Sequence, residues 1–143
     1  MGALADATLA AGGSVTGVIP EHLVAREVAH RGVQDLRVVG SMHERKALMA
    51  ELADAFVALP GGFGTMDELF EMLTWTQIGL QAKPCALLIV AGFWDPLLAW
   101  VARAVADGLV RPAHAGLLLT SDDPGEVLDR LAAWRLPEMP ALA

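Results

Sequence analysis

The sequence contains few residues that could crosslink or anchor the chain. A single cysteine, Cys85, stands among 143 residues, so no internal disulfide can form, and nothing near it is spaced like a zinc site. No uninterrupted apolar run approaches the roughly 20 residues of a membrane span. The first twelve residues lack the basic cluster and apolar middle of a secretion signal. The sequence therefore predicts a cytoplasmic protein that has no membrane partner and binds no metal.

Basic residues are also scarce. Ten lysines and arginines stand against seventeen acidic residues, which gives a formal net charge of −7. This charge repels the phosphate backbone of a long nucleic acid, so RNA, duplex DNA and single-stranded DNA are disfavoured as partners. A small anionic ligand stays possible, because backbone dipoles can outweigh the net charge inside one pocket.

Short runs of branched apolar residues alternate with segments of helical spacing. This alternation is typical of βαβ units and predicts an α/β fold: a doubly wound, mostly parallel Rossmann-like sheet with helices on both faces. We predict one nucleotide-binding domain over residues 1–136 and an irregular tail over 137–143, which holds two prolines. The predicted strands are 15–19, 36–39, 55–59, 85–90 and 116–120, and the predicted helices are 2–11, 21–30, 42–53, 65–79, 94–107 and 124–134.

The densest glycine cluster follows the third predicted strand, in ALPGGFGTMDELFEML (58–73). Glycines 61, 62 and 64 allow positive φ and let a ligand approach the backbone closely. Amide groups at a helix N-terminus, beyond the carboxyl end of a parallel strand, form a common phosphate-binding arrangement. The segment therefore predicts a site for a phosphorylated ligand.

Two known phosphate-binding motifs do not fit this loop. It lacks the GK[ST] of a P-loop, and it lacks the third glycine of the dinucleotide fingerprint, since Asp67 stands there. A purely structural alternative is a tight turn followed by a capping box, with Thr65 as the cap and Glu68 three residues later. Both interpretations are open at the level of local spacing.

The same segment resembles a known family. The stretch from Pro60 to Glu68, PGGFGTMDE, is similar to the PGGxGTxxE signature of the Lonely Guy (LOG) proteins. These are cytokinin riboside 5′-monophosphate phosphoribohydrolases, once described as possible lysine decarboxylases. MHERK (42–46), TWTQIG (74–79) with the following KP, and GVIPEHL (17–23) extend the likeness to about residue 110.

The resemblance implies hydrolysis of the N-glycosidic bond of nucleoside 5′-monophosphates, such as cytokinin riboside monophosphates and AMP, to free base and ribose 5-phosphate, without a cofactor. It implies that Glu68 stabilises the cationic sugar or activates water and that Arg45 is the second catalytic residue, with a guanidinium suited to phosphate. It also implies a homodimer. The implied substrate-binding residues are Glu27, Lys46, Gly61, Gly62, Phe63, Gly64, Thr65 and Thr74.

The start of the chain differs from the family pattern. Family members have a strand, a helix, a second strand and a glycine-rich loop before the segment that resembles residues 1–13. We therefore expect either a misplaced start codon or a truncated domain that lacks part of the phosphate site. Asp67 and Gln81 stand where family members commonly have Glu and His.

Three alternatives compete with hydrolysis. The same scaffold could be a non-catalytic nucleotide-binding module. A pyridoxal phosphate decarboxylase is disfavoured, because it needs a Schiff-base lysine and the chain has only Lys46 and Lys83. Local spacing alone also fits solvated charges, since Glu68, Glu71 and Thr74 share one side of a helix.

Overall fold

A computed structural model describes residues 1–24, 30 and 32–138. The chain divides into two compact units, Met1–Ala53 and Asp54–Ala143. No helix in the described ranges is long and apolar enough to cross a membrane.

The first unit contains a two-stranded parallel sheet, in which β1 pairs with β2 and Thr16 lies opposite Asp35. The Thr16 hydroxyl donates a hydrogen bond of 2.8 Å to the Asp35 carboxylate, and Arg37 Nε donates another of 2.7 Å. Both bonds stabilise the ionised carboxylate and hold the pKa of Asp35 below its ordinary value, and the bond from Arg37 has the larger effect. The elements of this unit are α1 (Gly2–Ala10), β1 (Thr16–Pro20), α2 (Glu21–Val24), β2 (Asp35–Val39) and α3 (Met42–Leu52).

The second unit contains a three-stranded parallel sheet with β4 in the centre, in the order β3-β4-β5. Its seven elements alternate strand and helix except for two consecutive helices, α5 and α6. Pro96, Pro112 and Pro124 lie in the first turns of α5, α6 and α7, where a missing amide hydrogen costs least. The elements are β3 (Phe56–Ala58), α4 (Phe63–Gln77), β4 (Cys85–Leu88), α5 (Asp95–Ala106), α6 (Pro112–Ala115), β5 (Leu118–Ser121) and α7 (Pro124–Ala133).

Helices cover both faces of this central strand. On one face Leu87 packs with Leu69 of α4 and with Trp94 at the start of α5. On the other face Ala86 packs with Val127 and Leu131 of α7. Burial on both faces explains why β4 is a continuous apolar run rather than an alternating one.

The structure confirms the predicted α/β fold class with parallel strands. Each predicted strand and helix has a counterpart, although most of the second half of the predicted helix 21–30 lies outside the described residues. Helix α6 was not predicted, and α4 begins two residues before its predicted start. Residues 134–138 form no helix or strand, and the rest of the predicted tail lies outside the described ranges. The single domain over 1–136 stays a prediction.

The loop after β4 contains a left-handed turn. Ala91 has φ 49° and Gly92 has φ 70°, and the Phe93 amide donates a 3.0 Å hydrogen bond to the Val90 carbonyl. Alanine in this conformation brings its Cβ close to the following carbonyl oxygen, at a cost of roughly 1–2 kcal/mol. Gly92 has no Cβ, so its positive φ does not cause this contact.

We expect Ala91→Gly to raise the free energy of unfolding by up to about 1 kcal/mol, because glycine adopts positive φ without this contact. Urea denaturation of both proteins measures the change. Ala99→Gly, at an exposed position inside α5, is the matched control and should lower stability by about 1 kcal/mol. A loss of stability in both variants would contradict a strained Ala91.

Candidate functional site

The first turn of α4 presents uncapped amide groups. Gly62 is the N-cap residue, with φ −98° and ψ −151°, and no side chain caps the helix. The first helical bond runs from the Met66 amide to the Gly62 carbonyl, at 3.1 Å. The amides of Phe63, Gly64 and Thr65 therefore have no carbonyl partner within the helix. They lie at the positive end of the helix dipole, where an anion is stabilised.

None of the three glycines of this loop has positive φ, and only Gly61 is needed for space. The expectation that they use positive φ is wrong, since the glycines that do so are Gly12, Gly79, Gly92 and Gly108. A Cβ added at Gly61 would collide with the side chain of Thr65, so glycine there lets Thr65 pack against the loop. A Cβ at Gly62 or Gly64 would meet no atom within 4 Å. The approach to the backbone at these two positions is open.

The capping-box alternative for this segment is wrong. It requires Thr65 to precede the helix, whereas Thr65 lies in the first turn of α4. Glu68 consequently lies in the second turn, where it is partly buried. Its place in the helix is three residues beyond Thr65, about 4.5 Å along the axis.

A groove of about 450 Å³ runs along α4. The groove is shallow and open to solvent. The ring of Phe70 packs edge to face on Trp100 of α5, with centroids 5.8 Å apart. The predicted binding residue Thr74 lines the groove, whereas Glu68 is not among the described lining residues. The lining residues are Met66, Asp67, Phe70, Glu71, Thr74 and Trp75.

In the first unit, Arg45 and Lys46 follow one another in α3. Arg45 Nε donates a 3.0 Å hydrogen bond to the Val18 carbonyl of β1, which fixes the plane of the guanidinium group. Lys46 is only 7% exposed, and a lysine buried to this degree needs a polar partner. Its role in binding substrate stays a prediction. The other predicted binding residue before α3, Glu27, lies outside the described residues.

Sequence reasoning missed the residues that hold the start of α3. Ser41 is the N-cap residue, and its hydroxyl accepts a 3.1 Å hydrogen bond from the Glu44 amide. The signal was present as Ser41-Met42-His43-Glu44, the spacing of a capping box. Sequence analysis recognised that spacing only at Thr65.

Comparison with known proteins identifies the family. The family model described as possible lysine decarboxylase matches residues 1–131. This chain belongs to that family. The match confirms the resemblance to the LOG proteins, since relatives within it carry the corresponding enzyme names.

Three curated relatives illustrate the similarity. The probable cytokinin riboside 5′-monophosphate phosphoribohydrolase LOGL9 of Oryza sativa subsp. japonica is 50% identical over 94% of this chain and 59% of its own length. The cytokinin riboside 5′-monophosphate phosphoribohydrolase of Rhodococcoides fascians is 49% identical over 96% of this chain and 68% of its own length. The cytokinin riboside 5′-monophosphate phosphoribohydrolase LOG of Oryza sativa subsp. japonica is 43% identical over 96% of this chain and 57% of its own length. The chain thus spans between 57% and 68% of these relatives.

Proposed function

We propose that this chain hydrolyses the N-glycosidic bond of nucleoside 5′-monophosphates, with cytokinin riboside monophosphates and AMP as substrates. The observation that carries the proposal is the uncapped first turn of α4, with open backbone at Gly62 and Gly64. The names of the relatives at 49% and 50% identity support the same reaction.

In this proposal the substrate phosphate binds the amides of Phe63, Gly64 and Thr65. Hydrogen bonds to a charged group contribute about 1.5–3 kcal/mol each, so two or three of them hold a phosphate firmly. These amides bind an anion without a lysine or arginine from α4, which is consistent with the low number of basic residues in the chain. The Phe63 side chain is 97% exposed beside these amides, and we propose that it contacts substrate.

Glu68 and Arg45 are the proposed catalytic residues. The bond between C1′ and the base nitrogen breaks as positive charge develops on the sugar, and a carboxylate stabilises that charge. As a general base, Glu68 takes a proton from the attacking water, whose oxygen bonds to C1′. The leaving base acquires a proton, and ribose 5-phosphate is released. The Arg45 guanidinium binds a phosphate or a polarised ligand oxygen.

We further propose a cytoplasmic homodimer. The support is exposed aromatic surface on the second unit: the Trp100 side chain is 55% exposed and Phe93 is 48% exposed. Exposed apolar patches on a soluble domain mark interaction surfaces. Lys46, Glu27 and Thr74 stay predicted substrate contacts.

Turnover of a nucleotide tests the proposal. The purified chain is mixed with AMP or isopentenyladenosine monophosphate, and chromatography measures free base and ribose 5-phosphate in equal amounts. Release of base from either substrate supports hydrolysis. No base, together with a nucleotide-dependent rise in melting temperature, would favour the binding module, and neither effect would refute both functions.

We expect Gly64→Ala to stabilise the protein and weaken nucleotide binding. Alanine inside a helix is more stable than glycine by roughly 0.5–1 kcal/mol, and its methyl group meets no protein atom here. The same methyl group would occupy the approach to the amides and raise the dissociation constant for AMP by about tenfold or more. Thermal unfolding and calorimetric titration measure the two effects.

Gly125→Ala is the control for AMP binding, because Gly125 is likewise the second residue of its helix, α7, although a Cβ there would lie 3.1 Å from Asp123 Oδ1. That helix has a side-chain cap, since Asp123 accepts a hydrogen bond from the Glu126 amide. AMP binding should be unchanged in this variant. Unchanged AMP binding in Gly64→Ala as well would contradict the proposed phosphate site.

A further inference from the structure

The corner between β2 and α3 is held by two reciprocal hydrogen bonds. The Glu44 amide donates to the Ser41 hydroxyl at 3.1 Å, and the Gly40 amide donates to Glu44 Oε2 at 2.8 Å. An ordinary capping box returns the carboxylate to the cap residue itself. Here it reaches one residue further back, to Gly40, and so ties the end of β2 to the first turn of α3.

Gly40 leaves the room that this carboxylate needs. A Cβ at position 40 would lie 3.3 Å from Glu44 Oε2 and 3.5 Å from Oε1. The distance to Oε2 is shorter than most contacts of a Cβ atom, whereas the distance to Oε1 is an ordinary van der Waals contact, so a side chain at this position would shift the carboxylate by a few tenths of an ångström. Glycine at position 40 therefore suits the hydrogen bond between its amide and the Glu44 carboxylate.

Arg45, the residue after Glu44, is held at both its backbone and its side chain. Its amide donates a 3.0 Å hydrogen bond to the Ser41 carbonyl, within the corner that Glu44 stabilises. Its Nε donates a 3.0 Å hydrogen bond to Val18 in β1. The second bond forms only if the first turn of α3 has the correct position relative to β1. The orientation of the guanidinium group therefore depends on the corner.

We propose that Glu44 is a positioning residue that acts through Arg45. Its carboxylate fixes the start of α3, so that Nε reaches Val18 and the guanidinium group keeps one orientation relative to β1. A misplacement of about 1 Å in a catalytic group can cost 100-fold in rate. The effect on turnover rests on the proposed function, whereas the effect on Arg45 itself does not.

Kinetics of single and double variants test the effect on turnover. We expect Glu44→Ala to lower kcat by about tenfold with little change in KM, because binding groups remain and orientation is lost. Glu44→Gln keeps an acceptor for the Gly40 amide and should restore kcat to within about threefold. Gly40→Ala should lower kcat with the glutamate still present. Glu51→Ala, at an exposed position near the end of α3, is the control and should leave kcat unchanged.

The Arg45→Ala background separates positioning from a general loss of structure. If Glu44 acts through Arg45, Glu44→Ala causes no further loss of kcat there. A purely structural glutamate would lower kcat by the same factor in both backgrounds, and that result would overturn the proposal.

Hydrogen exchange of the Arg45 Nε–H group, measured by NMR, gives a readout that needs no activity. We expect exchange to be at least tenfold faster in Glu44→Ala than in the parent chain, and close to the parent value in Glu44→Gln and Glu51→Ala. Equal exchange in the parent and Glu44→Ala would overturn the proposal. A parent chain that releases no base would refute the proposed function, and the exchange rates would still decide the role of Glu44. If Glu44→Ala does not fold, Gly40→Ala replaces it in both measurements.

Discussion

Replacing Glu68 with glutamine is expected to lower turnover of AMP and isopentenyladenosine monophosphate by about 100-fold or more. Glutamine has nearly the same shape and a similar helix propensity, so α4 should keep its structure. The variant loses the negative charge that stabilises the cationic sugar and the base that activates water, and a positioned acid or base contributes about 10²–10⁴-fold. Rates of base release under saturating substrate measure the effect.

Asp129→Asn is the matched control for Glu68→Gln. It removes one negative charge from an exposed position on α7, so it reproduces the change in net charge without touching α4. Turnover in this control should equal that of the parent chain. Parent-like rates in Glu68→Gln would show that the carboxylate has no catalytic role, even if nucleotide still binds at the start of α4.

Replacing Arg45 with alanine is also expected to lower turnover by about 100-fold or more. The variant loses the charge and the fork of donors that the Val18 carbonyl orients. Arg45→Lys keeps the charge but lacks the fork, so we expect it to recover only part of the rate. A comparison of kcat with KM in both variants shows whether the guanidinium acts in the transition state or in binding.

Arg37→Ala provides the control in the same unit. Arg37 pairs with Asp35 at 2.7 Å on an exposed surface, where water and salt screen the attraction between the two charges. Turnover should not change in this variant. Equal rates in Arg45→Lys and the parent would show that a point charge is sufficient, and parent rates in Arg45→Ala would contradict the assigned role.

The strands and most helices could be predicted because local signals agreed with burial. The run from Cys85 to Leu88 is apolar because both of its faces are covered, and the prolines mark the starts of later helices. Helix α6 escaped prediction because four residues are too short to show helical periodicity. The early start of α4 was missed because Gly64, a poor helix former, is tolerated in a first turn whose amides have no helical partner anyway.

The same capping spacing has different outcomes at Ser41 and at Thr65. At Ser41 the serine precedes the helix, and its hydroxyl can meet the Glu44 amide. At Thr65 the helix has already begun at Phe63, so the threonine packs over Gly61 instead. Spacing alone does not distinguish the two cases, because the residue at which each helix begins depends on the loop between that helix and the preceding strand.

Two features of the second unit depended on tertiary structure. The positive φ of Ala91 has no signal in the sequence, since alanine does not favour that conformation. Phe70, which lines the groove on α4, packs on Trp100, which is 30 residues away in a different helix. Helical spacing indicated that Glu71 and Thr74 share a side, but not that this side is concave.

The reaction of Cys85 with a thiol reagent can be used to measure how often the second unit opens. Cys85 is 1% exposed in the central strand, and burial raises the pKa of its thiol to about 12. The folded molecule therefore keeps this thiol protonated and out of reach of a reagent. A thiol reagent therefore modifies the chain only when the three-stranded sheet separates, so the labelling rate follows the population of opened molecules directly. With no second cysteine to react, the variants of the second unit can be ranked for stability without adding a probe.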